Sequence, residues 1–254
     1  MGIQYYLDLV FNKTSPHQIA LTTAVNTFDP NTYLWNEAPG YSMNVSSSLL
    51  DIVILVDRVT KNNLLEQLPV LKKSVPANAQ YMFPFLLSSG WGDSDYTTIP
   101  ASSIERLISI SRQYKNVEDE DYFTRLINMQ YGTSYSRPPS KDIYALFQYV
   151  DEFKPLSRPG SLKDFASPAI YAQNTSLFYQ RNGFDKLHGL GATIVGKFGG
   201  HSHFNGISIE LSGKGYALGA ESGRGASYWT TDHAQYYSKY LAHNTVIVNG
   251  KFAS

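Results

Sequence analysis

The chain has 254 residues, enough for one large domain or two modest ones, and no cysteine, which removes disulfides, thiolate–zinc sites and thiol nucleophiles together. Its 21 basic and 21 acidic side chains cancel, whereas a nucleic-acid binder would carry a basic excess. Charged residues make up 17% against the usual ~25%, and aromatics 14%, a balance that suits surfaces stacking on flat, hydroxyl-rich ligands such as sugars as well as an aromatic core.

In chain order, Ile3, Tyr6, Leu7, Val10 and Phe11 recur at helical spacing, with no basic region ahead of an apolar run that would mark a signal peptide. Leu49 to Val56 is strongly apolar, but Asp51 breaks it and it is far short of the ~18 residues of a membrane span. Leu64, Leu65, Leu68 and Leu71 continue at i, i+1, i+4 and i+7. Ser102-Ser103 ahead of Ile104, Leu107, Ile108 and Ile110 reads as a capped helix with Glu105 in its first turn. Segments 119–128 and 141–150 are amphipathic, and prolines punctuate the whole stretch, so 1–160 reads as an array of helices.

The grammar changes after the Pro155–Ser167 linker. Short β-type runs at 171–179, 191–197, 206–211, 216–218 and 245–248 are separated by glycines, which predicts antiparallel sheet over 161–254. The fold class expected is therefore α+β, helices first and strands after.

Four of the six histidines lie in the last 54 residues, and Gly199-Gly200-His201-Ser202-His203-Phe204-Asn205-Gly206 is the most informative segment. On a strand, His201, His203 and Asn205 would share one face, with Ile207, Ile209 and Leu211 carrying that face into the core. Two imidazoles there could equally be a hydrogen-bonded strand end. Glu221 closes one apolar strand and His243 heads another, so His203, Glu221 and His243 could hold zinc or manganese with a water in the open position. Glu221 could also be an ion-pair partner for Arg224. His233 and His188 read as ordinary hydrogen-bonded or surface residues.

Three segments together resemble the heparinase II/III-like polysaccharide lyases: Gly-Gly-His201-Ser-His203-Phe-Asn-Gly-Ile-Ser-Ile-Glu-Leu, Leu218-Gly-Ala-Glu221-Ser-Gly, and Ala-His243-Asn244-Thr-Val-Ile-Val-Asn-Gly. Tyr228-Trp229-Thr-Thr-Asp-His233-Ala-Gln-Tyr236-Tyr237-Ser is similar to the alginate lyases of that group. Upstream, Trp35-Asn-Glu37-Ala-Pro-Gly40-Tyr41-Ser resembles the segment that supplies the family's catalytic tyrosine, and Trp91-Gly92-Asp93-Ser94-Asp95 resembles its Gly-Asp-Ser loop.

The resemblance implies an (α/α) toroid followed by an antiparallel β-sandwich, and β-elimination on a uronic-acid polymer. It assigns Tyr41 as general acid or as acid and base, His201 to the substrate carboxylate or to proton transfer, and one of Tyr228, Tyr236 and Tyr237, first of all Tyr228, as a further catalytic tyrosine. It assigns His203, Glu221 and His243 to a structural or supporting divalent metal, and places Glu37, Asn205, Asn244 and Trp229 at the substrate. The family has Asp where this chain has Glu221. Its upstream Asn-His pair has no counterpart among the 40 residues before Tyr41, which contain His17 and Asn26. The chain is therefore expected to be an internal piece of a longer lyase, with the rest of that protein as a partner. An acidic polysaccharide is the expected substrate, with no nucleic-acid or membrane partner. Neutral net charge favours a non-sulfated polymer such as alginate, and the resemblance implies an extracellular or periplasmic bacterial protein. The alternative is a catalytically silent carbohydrate-binding or structural fragment of such a lyase.

Overall fold

The computed structural model describes residues 4–5, 8, 12, 14–139, 148–156, 158–196, 200–203 and 207–249. The expected helix on Ile3–Phe11 rests on residues outside this set, as do Asn205 and most of segment 141–150.

Among the described residues, six α-helices come first: α1 Pro16–Thr27, α2 Pro39–Thr60, α3 Leu64–Gln67, α4 Pro69–Ala77, α5 Ala101–Gln113 and α6 Val117–Tyr131. Pro39 opens α2 at its first position, where a missing N–H costs nothing and the fixed φ is already helical. Lys61 ends α2 in the left-handed region, its N–H donating to the Asp57 carbonyl at 2.7 Å. The buried Asp57 carboxylate then accepts from the Leu64 N–H at 2.8 Å and the Tyr114 hydroxyl at 2.7 Å, tying the end of α2 to the end of α5.

Asn116 caps α6 by accepting from the Asp119 N–H, and Glu118, Asp119 and Glu120 fill the first turn, where the helix dipole favours acidic groups. The expected serine cap of α5 is not formed. Pro100 is the N-cap, no side chain caps the helix, and Ser102 and Ser103 lie inside its first turn. Glu105 is buried there, paired with Arg137 and hydrogen-bonded by the Tyr135 hydroxyl at 2.6 Å. Leu50, Val53 and Ile54 of α2, Leu71 and Val75 of α4, Ile104, Leu107 and Ile108 of α5, and Phe123, Leu126 and Ile127 of α6 make one core.

Among the described residues one antiparallel sheet follows, β1 Ala169–Ala172, β2 Leu177–Arg181, β3 Leu190–Val195, β4 Ser208–Gly213 and β5 Tyr216–Gly219, paired in sequence order. The expected strand 171–179 is two strands, because the turn Gln173–Thr175 and left-handed Ser176 reverse the chain inside it. Segment 245–248 makes only one bridge, Ser208 to Thr245.

The face of β4 is the reverse of the expectation. Ile207, Ile209 and Leu211 are exposed, whereas Ser208, Glu210 and Ser212 are buried. Polarity did not decide the face, because each buried group finds a partner. Ser208 donates to Glu221 at 2.6 Å, Ser212 donates to the Gly191 carbonyl at 3.4 Å, and Glu210 accepts from the Tyr96 hydroxyl and from the Gly90 N–H at 3.1 Å.

Leu34, Ala77, Tyr81 and Trp91 pack on Ala172, Leu177 and Val195 to join helices to sheet. Arg181 of β2 fastens the same junction, its guanidinium donating to the carbonyls of Gln80 at 2.8 Å, Met82 at 3.2 Å and Ser167. No described helix is long and apolar enough to cross a membrane.

Candidate active site

Where the helices meet the far edge of the sheet, four segments converge: the start of α2, the loop 91–95, the turn 200–203 and the stretch 221–243. Tyr41 sits in the first turn of α2. Gly40 lets that turn approach the loop, its N–H donating to the Ser94 hydroxyl at 2.9 Å.

Gly92 has φ of +65°, and a Cβ there would lie 2.3 Å from the His201 carbonyl oxygen. Only glycine allows that approach, and it lets the Asp93 N–H donate to the His201 carbonyl at 2.8 Å.

His201 and His203 are not on a strand. Gly200–Ser202 is a turn of 3-10 helix, and His203 is left-handed with φ of +58°. The two rings nonetheless meet one group, because Asp93 reaches up between them. His201 Nδ1 donates to one carboxylate oxygen at 2.8 Å and His203 Nε2 to the other. Burial would raise the Asp93 carboxyl, but the hydrogen bonds and charge of His203 and His201 outweigh it and hold the carboxyl below its ordinary range. Asp93 carries no role in the sequence reading; its Gly-Asp-Ser setting was the available signal.

The Tyr41 ring stacks on His201, with centroids 3.7 Å apart and planes 14° from parallel, and its hydroxyl lies 2.7 Å from that of Tyr228. Burial, the Tyr41 hydroxyl and the Asp93 charge raise the Tyr228 phenol above its ordinary range, so it stays protonated. A cavity of about 270 Å³ opens here between α2, the 93–98 loop, Arg224 and Tyr228.

Glu221 and His243 lie behind this group. Ser208 and the Asn244 N–H, at 3.1 Å, hold one Glu221 oxygen, and His243 Nδ1 donates to the other. Glu221 therefore faces His243, not Arg224, which lies 3.5 Å from Asp95. Among the described residues, His203 Nδ1 and His243 Nε2 are both buried without a partner, on rings 5.3 Å apart.

His233, read as ordinary from the sequence, joins them. Its Nδ1 donates to the Arg224 carbonyl at 2.9 Å and its Nε2 is 4.0 Å from Asp93. Ligand atoms of Asp93, His203 and His233 lie within 4.8 Å of one another. A carboxylate holding one imidazole nitrogen so that the other faces inward is how histidine ligands are oriented, and nitrogen donors of this kind suit zinc or manganese. The residues thus fit a divalent ion, with Glu221 in position to orient His243.

The remaining expected residues are placed less centrally. Glu37 accepts from the Trp35 indole N–H at 2.6 Å. Asn244 donates to the carbonyls of Gly219 and Ala220 at 3.3 and 3.0 Å, bracing the strand end beside Glu221. Trp229 is 95% exposed, with its ring free of the core. His188 is exposed and paired with Asp185.

No family profile matches the chain. An endo-acting ulvan lyase of Formosa agariphila is 26% identical over 263 residues, covering 96% of this chain and 31% of that protein. Among solved structures, a heparinase III superposes with a TM-score of 0.58 at 16% identity, over 92% of this chain and 32% of that one. The heparan sulfate lyase HepC of Pedobacter heparinus gives 0.58 at 15% identity, over 92% and 33%. The chain thus spans about a third of the length of these relatives. The mixed helices and antiparallel sheet thus share the fold of the heparinases, and in sequence the chain is similar to a polysaccharide lyase.

Proposed function

We propose that the protein containing this chain is a polysaccharide lyase that cleaves a uronic-acid polymer by β-elimination. The observation that carries this reading is Tyr41 stacked on His201 with its hydroxyl 2.7 Å from Tyr228, at the mouth of a cavity. In the family's terms, the helices are part of an (α/α) toroid and the sheet is one layer of a β-sandwich.

The C5 proton beside a carboxylate is weakly acidic, so a positioned base and acid are both needed. His201 holds its Nδ1 proton on Asp93, which leaves Nε2 as the acceptor for the C5 proton. The C5–H electron pair becomes the C4–C5 double bond as the C4–O4 bond breaks, and Tyr41 gives its proton to O4. Tyr228, kept protonated, donates a hydrogen bond to the Tyr41 oxygen as it loses that proton. A divalent ion, zinc or manganese, held by His203 and His243 with Glu221 behind them, would brace the sheet side of the site. Trp229 offers an open ring face to the polymer.

Alginate suits the chain's neutral charge, and the ulvan lyase relative puts ulvan beside it. Cleavage of a polymer would take place outside the cytoplasm, in the periplasm or beyond, and cell fractionation tests that. The test of function is ultraviolet absorbance of the new double bond when the full protein meets alginate, ulvan, glucuronan, chondroitin and heparan sulfate. A rise with at least one uronate polymer is expected, and no rise with any would sink the lyase reading. Binding to the polymer without turnover would instead indicate a silent carbohydrate-binding protein, for which the exposed Trp229 is the supporting feature. Chelation is expected to lower the melting temperature, with zinc or manganese restoring it.

A further inference from the structure

β-Elimination at a uronate needs the substrate carboxylate neutralised by a cation or hydrogen-bond donors. We propose that Arg224 is the carboxylate-binding residue of the cleft and so sets its preference for uronate over neutral sugars; this rests on the lyase reading above.

Arg224 is the one Lys or Arg among the described residues lining the cavity that holds Tyr41 and Tyr228. Its backbone is fixed from three sides. Gly223, with φ of +58°, fits where a Cβ would lie 2.9 Å from the Ser94 carbonyl oxygen. Gly225, with φ of +70°, fits where a Cβ would lie 2.3 Å from the Tyr237 ring. His233 Nδ1 donates to the Arg224 carbonyl between them. The Gly223-Arg224-Gly225 turn is thus docked on the same loop that carries Asp93.

The guanidinium lies 5.6 Å from the Tyr228 ring centre. Its side-chain partner is Asp95 at 3.5 Å, and that carboxylate is 67% exposed. An exposed pair of this kind is weak, so an incoming carboxylate can displace it. Asp93, the other acid lining the cavity, is already matched by two histidines and does not compete. A guanidinium fork also grips a planar carboxylate with two parallel hydrogen bonds, which an ammonium does not.

Binding and turnover test this separately in the full protein. Titration of a uronate tetrasaccharide and its carboxyl-reduced counterpart is expected to show the wild type favouring the acid form. Arg224→Ala should lose that preference, binding the acid form about 10- to 100-fold more weakly and the reduced form almost unchanged. Arg224→Lys should fall between, which guards against a folding defect in the alanine variant. The ratio of kcat/KM on polyuronate to that on its methyl ester should collapse in the same order. An acid-to-reduced preference unchanged in Arg224→Ala, or equal weakening of both ligands, overturns the proposal. Preference lost without any turnover in the wild type would leave Arg224 standing and remove the lyase reading.

Discussion

At the scale of single residues, the site depends on protons held in place. Tyr41 makes no contact that a phenylalanine ring would lose except the 2.7 Å bond to Tyr228, worth about 1 kcal/mol. Tyr41→Phe should therefore unfold close to the wild-type temperature while kcat falls by about 10²- to 10⁴-fold, the usual share of a general acid. Glu210 gives a prediction of the opposite kind, in stability alone. Burial, with the nearby Glu221 charge adding to it, pushes its carboxyl up to about 7 from an unfolded value of 4.5. The folded state thus holds a proton that the unfolded state has released, so stability falls as pH rises from about 4.5 through 7. Over that window the loss is on the order of 3 kcal/mol. Glu210→Gln keeps acceptance from Tyr96 and Gly90 without the charge. Thermal unfolding at pH 5 and pH 8 should show the variant gaining on the wild type at the higher pH and little at the lower.

At the scale of elements, the loop 91–95 is the piece on which the site turns. It takes the Gly40 N–H through Ser94 and holds two histidines through Asp93. Gly92→Ala would put a methyl group 2.3 Å from a backbone oxygen in a left-handed conformation. A cost of about 1–3 kcal/mol is expected, with lower activity because Asp93 moves with the loop. Urea unfolding read beside kcat measures both, and wild-type values in each would show the loop adapting freely. The motif of this loop was legible in the sequence, but its role was not, because Asp93 acts on residues more than a hundred positions away. The strand β4 shows the same limit. Alternation correctly marks two faces, yet Ile209 and Leu211 face outward because Ser208, Glu210 and Ser212 meet partners from the other elements.

At the scale of the whole molecule, Arg181 is the pin between the two kinds of structure. It is buried, and its guanidinium serves two carbonyls of the helical part, Gln80 and Met82, and one at the end of the linker, Ser167. Arg181→Met keeps the stem but leaves those acceptors empty, so a loss of about 3 kcal/mol is expected, read as a lower denaturant midpoint. By itself the sequence determined the order of helices and then antiparallel strands, since apolar periodicity and glycine punctuation are local properties. It also singled out the candidate residues Tyr41, His201, His203, Glu221 and His243, because they stand in recognisable segments. Only the tertiary structure decided who holds whom. His201 and His203 come together through Asp93 and not through a strand, Glu221 faces His243, and Arg224 lines the cavity on a turn that two glycines let dock and whose carbonyl His233 holds. Those pairings are set by close approach of segments distant in the chain, which no local pattern encodes.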